Sequence, residues 1–116
     1  MRALQRLGEL MSDPNSVPGR RRGDRGASVE FYARWVEAYL AALHYDRTRP
    51  LQWLAAQSAC AGVKESTMSR YLMTAEALGL IENRTHGRPG GTMTQRCWDV
   101  LAAAEARRAW IPLTGD

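Results

Sequence analysis

Two short amphipathic segments separated by a single glycine restrict the fold of this chain more than any other feature of its sequence. The first covers residues 51–62, follows a predicted cap at Thr48 and ends at Gly62. The second covers residues 64–78, where apolar side chains recur every three or four positions, and it stops at Gly79. Glycine adopts backbone conformations that a Cβ atom disfavours, so Gly62 allows a sharp turn. The pattern predicts two helices that meet at a tight turn.

A longer helix is predicted over residues 28–45, with Ser28 as its N-cap. One apolar stripe comprises Val29, Tyr32, Ala33, Val36, Leu40 and Leu43. A second stripe beside it comprises Phe31, Trp35 and Tyr39, and the remaining face carries Arg34, Glu37 and His44. This apolar arc is wider than one small core requires. We therefore expect the second stripe, with Trp110 and Ile111 near the chain end, to form a homodimer interface.

The part of the chain after Gly79 predicts a small β-hairpin and a last helix. Residues 80–84 are partly alternating, residues 85–91 are rich in turn formers, and the chain returns at residues 92–93. Thr94 is the predicted N-cap of a helix that ends before Pro112. One face of this helix carries Cys97, Trp98, Leu101 and Ala104. The predicted fold class is mostly α with a small β-hairpin.

The N-terminal region has a different composition. Leu4, Leu7 and Met11 lie on one face of a short helix that needs a partner surface, and residues 13–27 form a basic linker without apolar periodicity. We therefore expect three parts: a flexible basic arm over residues 1–27, a domain over residues 28–111 and a tail over residues 112–116.

Composition narrows the class of function. The 116 residues carry a net charge of +4, and Lys64 is the only lysine among sixteen basic residues. Arginine binds phosphate oxygens and guanine edges well, although a GC-rich genome gives the same bias without a structural reason. We expect no catalytic site, metal or cofactor, because the sequence has no nucleophile triad, zinc-ligand spacing or phosphate loop. No apolar run is long enough to span a bilayer, so we expect a cytoplasmic protein.

The segment AGVKESTMSRYLMTAEALGLIENR resembles the turn, recognition helix and first wing strand of the bacterial winged helix-turn-helix superfamily, which includes MarR-like and GntR-like regulators. The common form there is GVS-x-ST-V-SR-x-L followed by LGLI, and the resemblance covers residues 51–101. It implies a winged helix-turn-helix with flanking N- and C-terminal helices that binds double-stranded DNA. Residues 64–78 would be the recognition helix and residues 84–91 the wing. Gln57 and Ser58 depart from the pattern, which predicts a shift or an extra residue in the preceding helix.

The resemblance and the helical periodicity together predict the DNA-contacting side chains. Those of the recognition helix are Lys64, Glu65, Ser66, Thr67, Ser69, Arg70 and Met73. Arg70 is expected to read guanine, the hydroxyl groups to contact phosphate or water, and Glu65 either to accept from cytosine or to favour the helix N-terminus. Those of the wing are Arg84, His86 and Arg88.

The arm leaves two readings open. Its arginines, Arg20, Arg21, Arg22 and Arg25, either lie along DNA or solubilise a linker. For the whole chain we expect a dimeric transcriptional regulator without a small-molecule effector. One alternative is a plasmid or phage accessory protein, such as a centromere-binding partition adaptor or a replication protein. Another is a winged helix used only for protein contacts.

Overall fold

A computed structural model describes residues 2–12, 28–60, 62–85 and 88–114, without the side chains of 109–114. The elements run in the order α1 (Arg2–Met11), α2 (Val29–Tyr45), α3 (Pro50–Ala55), a 3-10 turn (Ser58–Cys60), α4 (Glu65–Ala77), β1 (Ile81–Glu82), β2 (Thr92–Met93) and α5 (Gln95–Thr114). The strands pair antiparallel, with Ile81 opposite Met93 and Glu82 opposite Thr92. The described chain is thus mostly helical with one small sheet, as the sequence predicts.

Helix α2 lies at the centre, and α1, α3, α4, α5 and β2 all pack against it. It begins where the sequence predicts, because the Ser28 hydroxyl accepts a hydrogen bond from the backbone N–H of Phe31. Phe31 and Trp35 are fully buried, and their rings lie 5.1 and 5.3 Å from the ring of Tyr71 on α4. Tyr39 is buried beside the hairpin loop.

This packing corrects the expectation that Phe31, Trp35 and Tyr39 form a dimer interface. The second apolar stripe of α2 is covered by α4 and the hairpin loop of the same chain, so none of these rings has surface left for a second protomer. The wide apolar arc arises because α2 is enclosed within one chain, rather than because it faces two partners.

Arg34 was expected on the solvent face of α2, but its side chain is only 1% exposed. Its guanidinium lies 3.3 Å from a carboxylate oxygen of Glu37 and 3.7 Å from those of Glu30 and Glu105. Nε and Nη2 of Arg34 have no hydrogen-bond partner in the described parts of the chain. Three carboxylates therefore compensate one buried positive charge.

Helix α1 belongs to the domain rather than to a separate arm, which corrects the predicted domain boundary. Leu7 is fully buried against the core, and ion pairs join α1 to α5: Arg6 to Glu105 at 3.0 Å and Glu9 to Arg108 at 2.9 Å. Burial alone would raise the pKa of Glu105, but the hydrogen bond from Arg6 and three nearby guanidinium charges lower it overall. The core supplies the partner surface that this helix requires.

The helix predicted over residues 51–62 is shorter than expected. Helix α3 ends at Ala55, where the carbonyl of Trp53 accepts hydrogen bonds from the Ala56 N–H and the Gln57 side-chain amide. The following 3-10 turn brings Cys60 into the core and packs against α1. The predicted irregularity at Gln57 is therefore a break in the helix.

The turns on either side of α4 and the start of α5 agree with the sequence. Gly62 and Gly79 have φ values of +86° and +76°. The Thr94 hydroxyl accepts from the Cys97 N–H and donates to the Gly79 carbonyl at 2.6 Å, so it caps α5 and fastens it to the end of α4.

Two expectations for α5 are wrong. The helix continues through Pro112 to Thr114, although proline cannot donate the backbone hydrogen bond at that position. Trp98 is exposed, because the buried face is defined by Cys97, Leu101 and Ala104. Both cysteines are buried, and burial raises the pKa of each thiol to about 11, in keeping with packing residues.

The buried charge of Arg34 predicts an unequal response to one substitution at two sites. Arg34→Met removes the buried cation that three partly exposed carboxylates share, and it should lower the free energy of unfolding by about 3 kcal/mol. Arg107→Met removes an ion pair to the same Glu30, but the Arg107 side chain is 64% exposed. Its loss should be under about 1 kcal/mol. Denaturant unfolding of both variants tests this, and equal losses would contradict it.

Candidate nucleic-acid interface

Helix α4 separates a buried face from an exposed one. Met68, Leu72 and Ala75 are buried against α2 and α3, and their spacing places them on one side of the helix. The chain enters α4 through Lys64 in an extended conformation and leaves it through Gly79. The packing of one face fixes which side chains the opposite face presents.

The exposed face of α4 carries most of the side chains that the sequence predicts for it. Lys64, Glu65, Ser66, Arg70 and Met73 are exposed, whereas Thr67 and Ser69 are partly buried. Met73 is 51% exposed, which is unusual for a large apolar side chain. This face therefore combines two cations, one carboxylate, hydroxyl groups and one apolar side chain.

The loop of the hairpin is attached to α2 through its backbone. The Tyr39 hydroxyl accepts a hydrogen bond from the N–H of Gly90 at 2.8 Å and donates one to the carbonyl of the same residue at 3.2 Å. Gly90 and Gly91 have φ values of +141° and +133°, a region that favours glycine. The two strands form only two residue pairs, so the strands alone hold the loop weakly. The hydrogen bonds to Tyr39 add a second point at which the described part of the loop is fixed.

Arg84 and Arg88 have different environments although both belong to the predicted wing. The Arg84 side chain is only 17% exposed; its guanidinium carbon lies 6.0 Å from the Tyr39 ring centroid, and Nη1 lies 3.9 Å from a Glu76 carboxylate oxygen of α4. Arg88 is exposed. Arg84 therefore stands between the loop, α2 and α4, whereas Arg88 presents its charge to solvent.

A cleft of about 300 Å³ brings together four of the predicted DNA-contacting residues; Lys64, Ser66, Thr67, Arg70 and Met73 do not line it. Glu65 and Ser69 of α4 line it, as do Arg84, Arg88 and Pro89 of the hairpin loop. The other lining residues are Tyr39, Thr48, Arg49, Pro50, Leu51 and Gln52. Three arginines and one glutamate thus surround a concave, solvent-accessible surface whose charge favours an anionic partner.

The start of α3 is the part of this cleft that sequence reasoning missed. Thr48 was predicted as the cap of this helix, but the N-cap is Arg49, and its side chain makes no capping bond. The carboxylate of Asp46 instead accepts from the N–H groups of Arg49 and Thr48 and from the Thr48 hydroxyl. Hydrogen bonding, chiefly from the Arg49 N–H, lowers the pKa of Asp46. The signal was the Asp-x-Thr spacing before Pro50, which is typical of an Asx turn.

Several predicted contacts lie outside the described residues: His86 of the wing and Arg20, Arg21, Arg22 and Arg25 of the arm. The side chains of Trp110 and Ile111 are also outside the description. Within the described residues, no group of three or more histidine, cysteine or acidic side chains is arranged to hold a metal ion. No helix of the same residues is long and apolar enough to cross a bilayer.

Comparison with protein-family models, with curated proteins and with solved structures finds no match to the chain.

The hairpin loop predicts different costs for two neighbouring substitutions. A Cβ atom on Gly91 would lie 2.9 Å from Cδ1 of the buried Ile81 and 3.0 Å from Cγ of Arg84, whereas one on Gly90 meets nothing within 4 Å. Both have positive φ, so Gly90→Ala is the matched control for backbone strain. Gly91→Ala should lower the free energy of unfolding by at least about 1 kcal/mol more than Gly90→Ala. Equal losses of unfolding free energy in the two variants would contradict the expected overpacking at Gly91.

Proposed function

We propose that this protein is a winged helix-turn-helix module that binds double-stranded DNA in a sequence-specific manner. In this proposal α3 and α4 are the helix-turn-helix, α4 is the recognition helix, and the loop between β1 and β2 is the wing. The fold proposal rests on the order of the elements, on the turn at Gly62 and on the hairpin after Gly79.

The observation that carries the proposal is the cleft between the start of α3, the exposed face of α4 and the hairpin loop. Residues distant in the sequence, Arg49 and Arg88, supply exposed cations to the same concave surface. A DNA duplex carries phosphates along both edges of its major groove, so exposed cations gathered in a cleft beside the proposed reading helix match its charge.

The roles divide according to exposure. Arg70 is exposed on α4 and is the proposed base-reading residue, because a bidentate arginine to guanine is the commonest specific contact. Arg49 and Arg88 are the proposed phosphate contacts on the two sides of the cleft, and Lys64 a third at the start of α4. Glu65, which also lines the cleft, favours the helix N-terminus and limits how closely phosphate approaches there.

A second candidate function is a protein contact through the exposed face of α4. The exposed Met73 favours it, because adaptable apolar side chains are common at interfaces between proteins. The two functions differ in their response to salt, since phosphate neutralisation releases counterions and an apolar contact does not.

Duplex binding is expected to weaken steeply as salt rises. If Arg49, Arg88 and Lys64 each neutralise one phosphate, the logarithm of the binding constant should fall against the logarithm of salt concentration with a slope of about −3 or steeper. Fluorescence anisotropy of a labelled duplex over a salt series measures this slope. Absence of binding at low salt would overturn the proposed function and favour the protein contact.

Two single variants should separate base reading from phosphate contact. Arg70→Ala is expected to reduce discrimination between the preferred and a mismatched duplex by at least about fivefold, because one bidentate contact contributes about 1–3 kcal/mol of discrimination. Arg88→Ala should weaken both duplexes alike and reduce the salt slope by about one unit. Arg2→Ala removes one exposed charge from α1, away from the cleft and from α5, and is the control for net charge. Variants of Arg70 and Arg88 that behave like this control would contradict the assigned roles.

The proposal includes pairing of two protomers, with α5 rather than the second stripe of α2 as the contacting element. Selection of bound duplexes from a random pool distinguishes the biological alternatives. A palindrome with two half-sites would favour a dimeric transcriptional regulator, whereas clustered direct repeats would favour a partition or replication protein.

A further inference from the structure

A single tyrosine of α2, Tyr39, attaches the hairpin loop to the core through its hydroxyl. Tyr39 is 3% exposed and lies on the most buried helix of the described structure. Its hydroxyl is both acceptor and donor to the backbone of Gly90, at 2.8 and 3.2 Å. One hydrogen bond would satisfy a buried phenol hydroxyl. Two hydrogen bonds to the same residue restrict the orientation of the Gly90 backbone as well as its distance from Tyr39.

The same ring also meets Arg84 at the other end of the loop. The Arg84 guanidinium carbon lies 6.0 Å from the ring centroid and pairs with Glu76 of α4. Tyr39 therefore contacts both sides of the loop, Arg84 through its ring and Gly90 through its hydroxyl. Between these two points lies Arg88, whose N–H donates a hydrogen bond to the Thr85 carbonyl.

We propose that Tyr39 is a positioning residue for DNA binding. Tyr39 does not contact DNA; it holds the hairpin loop so that Arg88 faces the cleft. The inference rests on the proposed function. In it Arg84 is an internal support between the Tyr39 ring and Glu76, and Arg88 is the loop's phosphate contact. Because Tyr39 already holds Gly90 in the free protein, this part of the loop loses less conformational freedom on binding than an unattached one would.

Tyr39→Phe tests the inference because it keeps the ring and removes only the hydroxyl. The loss of two hydrogen bonds that order the loop should weaken duplex binding by about tenfold. Tyr32→Phe is the matched control: Tyr32 lies on the same helix and is also buried, but its ring packs against Phe31 and Tyr71, away from the loop. The control should bind within about twofold of the parent.

A double-mutant cycle distinguishes positioning from general destabilisation. If Tyr39 acts through the loop, Tyr39→Phe should cost less than about twofold in an Arg88→Ala background, because the contact it positions is already absent. Equal factors in both backgrounds would overturn the inference, and so would a Tyr39→Phe variant that binds like the parent.

Hydrogen exchange gives a readout that does not depend on DNA. The Gly90 amide should lose protection in Tyr39→Phe and keep it in Tyr32→Phe. Unchanged protection in Tyr39→Phe would overturn the inference even if binding fell. If the parent protein failed to bind duplex at low salt, the proposed function and the inference would both fall. Normal parental binding with an unaffected Tyr39→Phe would overturn the inference alone.

Discussion

The enclosure of α2 is the constraint on which the rest of the structure depends. A helix that is surrounded on nearly all sides needs an apolar neighbour, or an opposite charge for each buried charge, on every face. Here α1, α3, α4, α5 and the hairpin each cover part of α2. The aromatic cluster on one side orients α4 through Tyr71. The contacts on the buried face of α4 consequently determine which of its side chains are exposed on the opposite face.

Among the described residues, Arg34 is the charged side chain that is buried, and its ion pairs join α2 to α5. Arg34 faces carboxylates of α2 and α5, while α1 and α5 exchange their own ion pairs around Glu105. Such a cluster is costly to desolvate and tolerates little misplacement. It therefore favours one arrangement of the outer helices over other arrangements of similar apolar burial.

Features determined by neighbouring residues could be predicted from the sequence. The caps at Ser28 and Thr94 and the turns at Gly62 and Gly79 depend on local backbone chemistry, and all four are found. Burial of Arg34 could not be predicted, because Glu30 and Glu37 are its neighbours on α2 but the third carboxylate, Glu105, comes from α5.

The candidate site divides in the same way. The exposed residues of α4 follow from helical periodicity, which the sequence displays directly. The contribution of Arg49 does not, because it depends on how α3 and the hairpin loop converge in three dimensions. The partial burial of Arg84 was hidden for the same reason, since Tyr39 and Glu76 reach it from two different helices.

The tyrosine attachment has a consequence for how the loop tolerates sequence change. Tyr39 forms hydrogen bonds to backbone atoms of Gly90, so these bonds do not require particular side chains between Arg84 and Pro89. Substitution of an exposed side chain such as that of Arg88 should therefore leave the attachment at Gly90 intact. The point at which the loop is held and the side chains that it carries can change independently of each other.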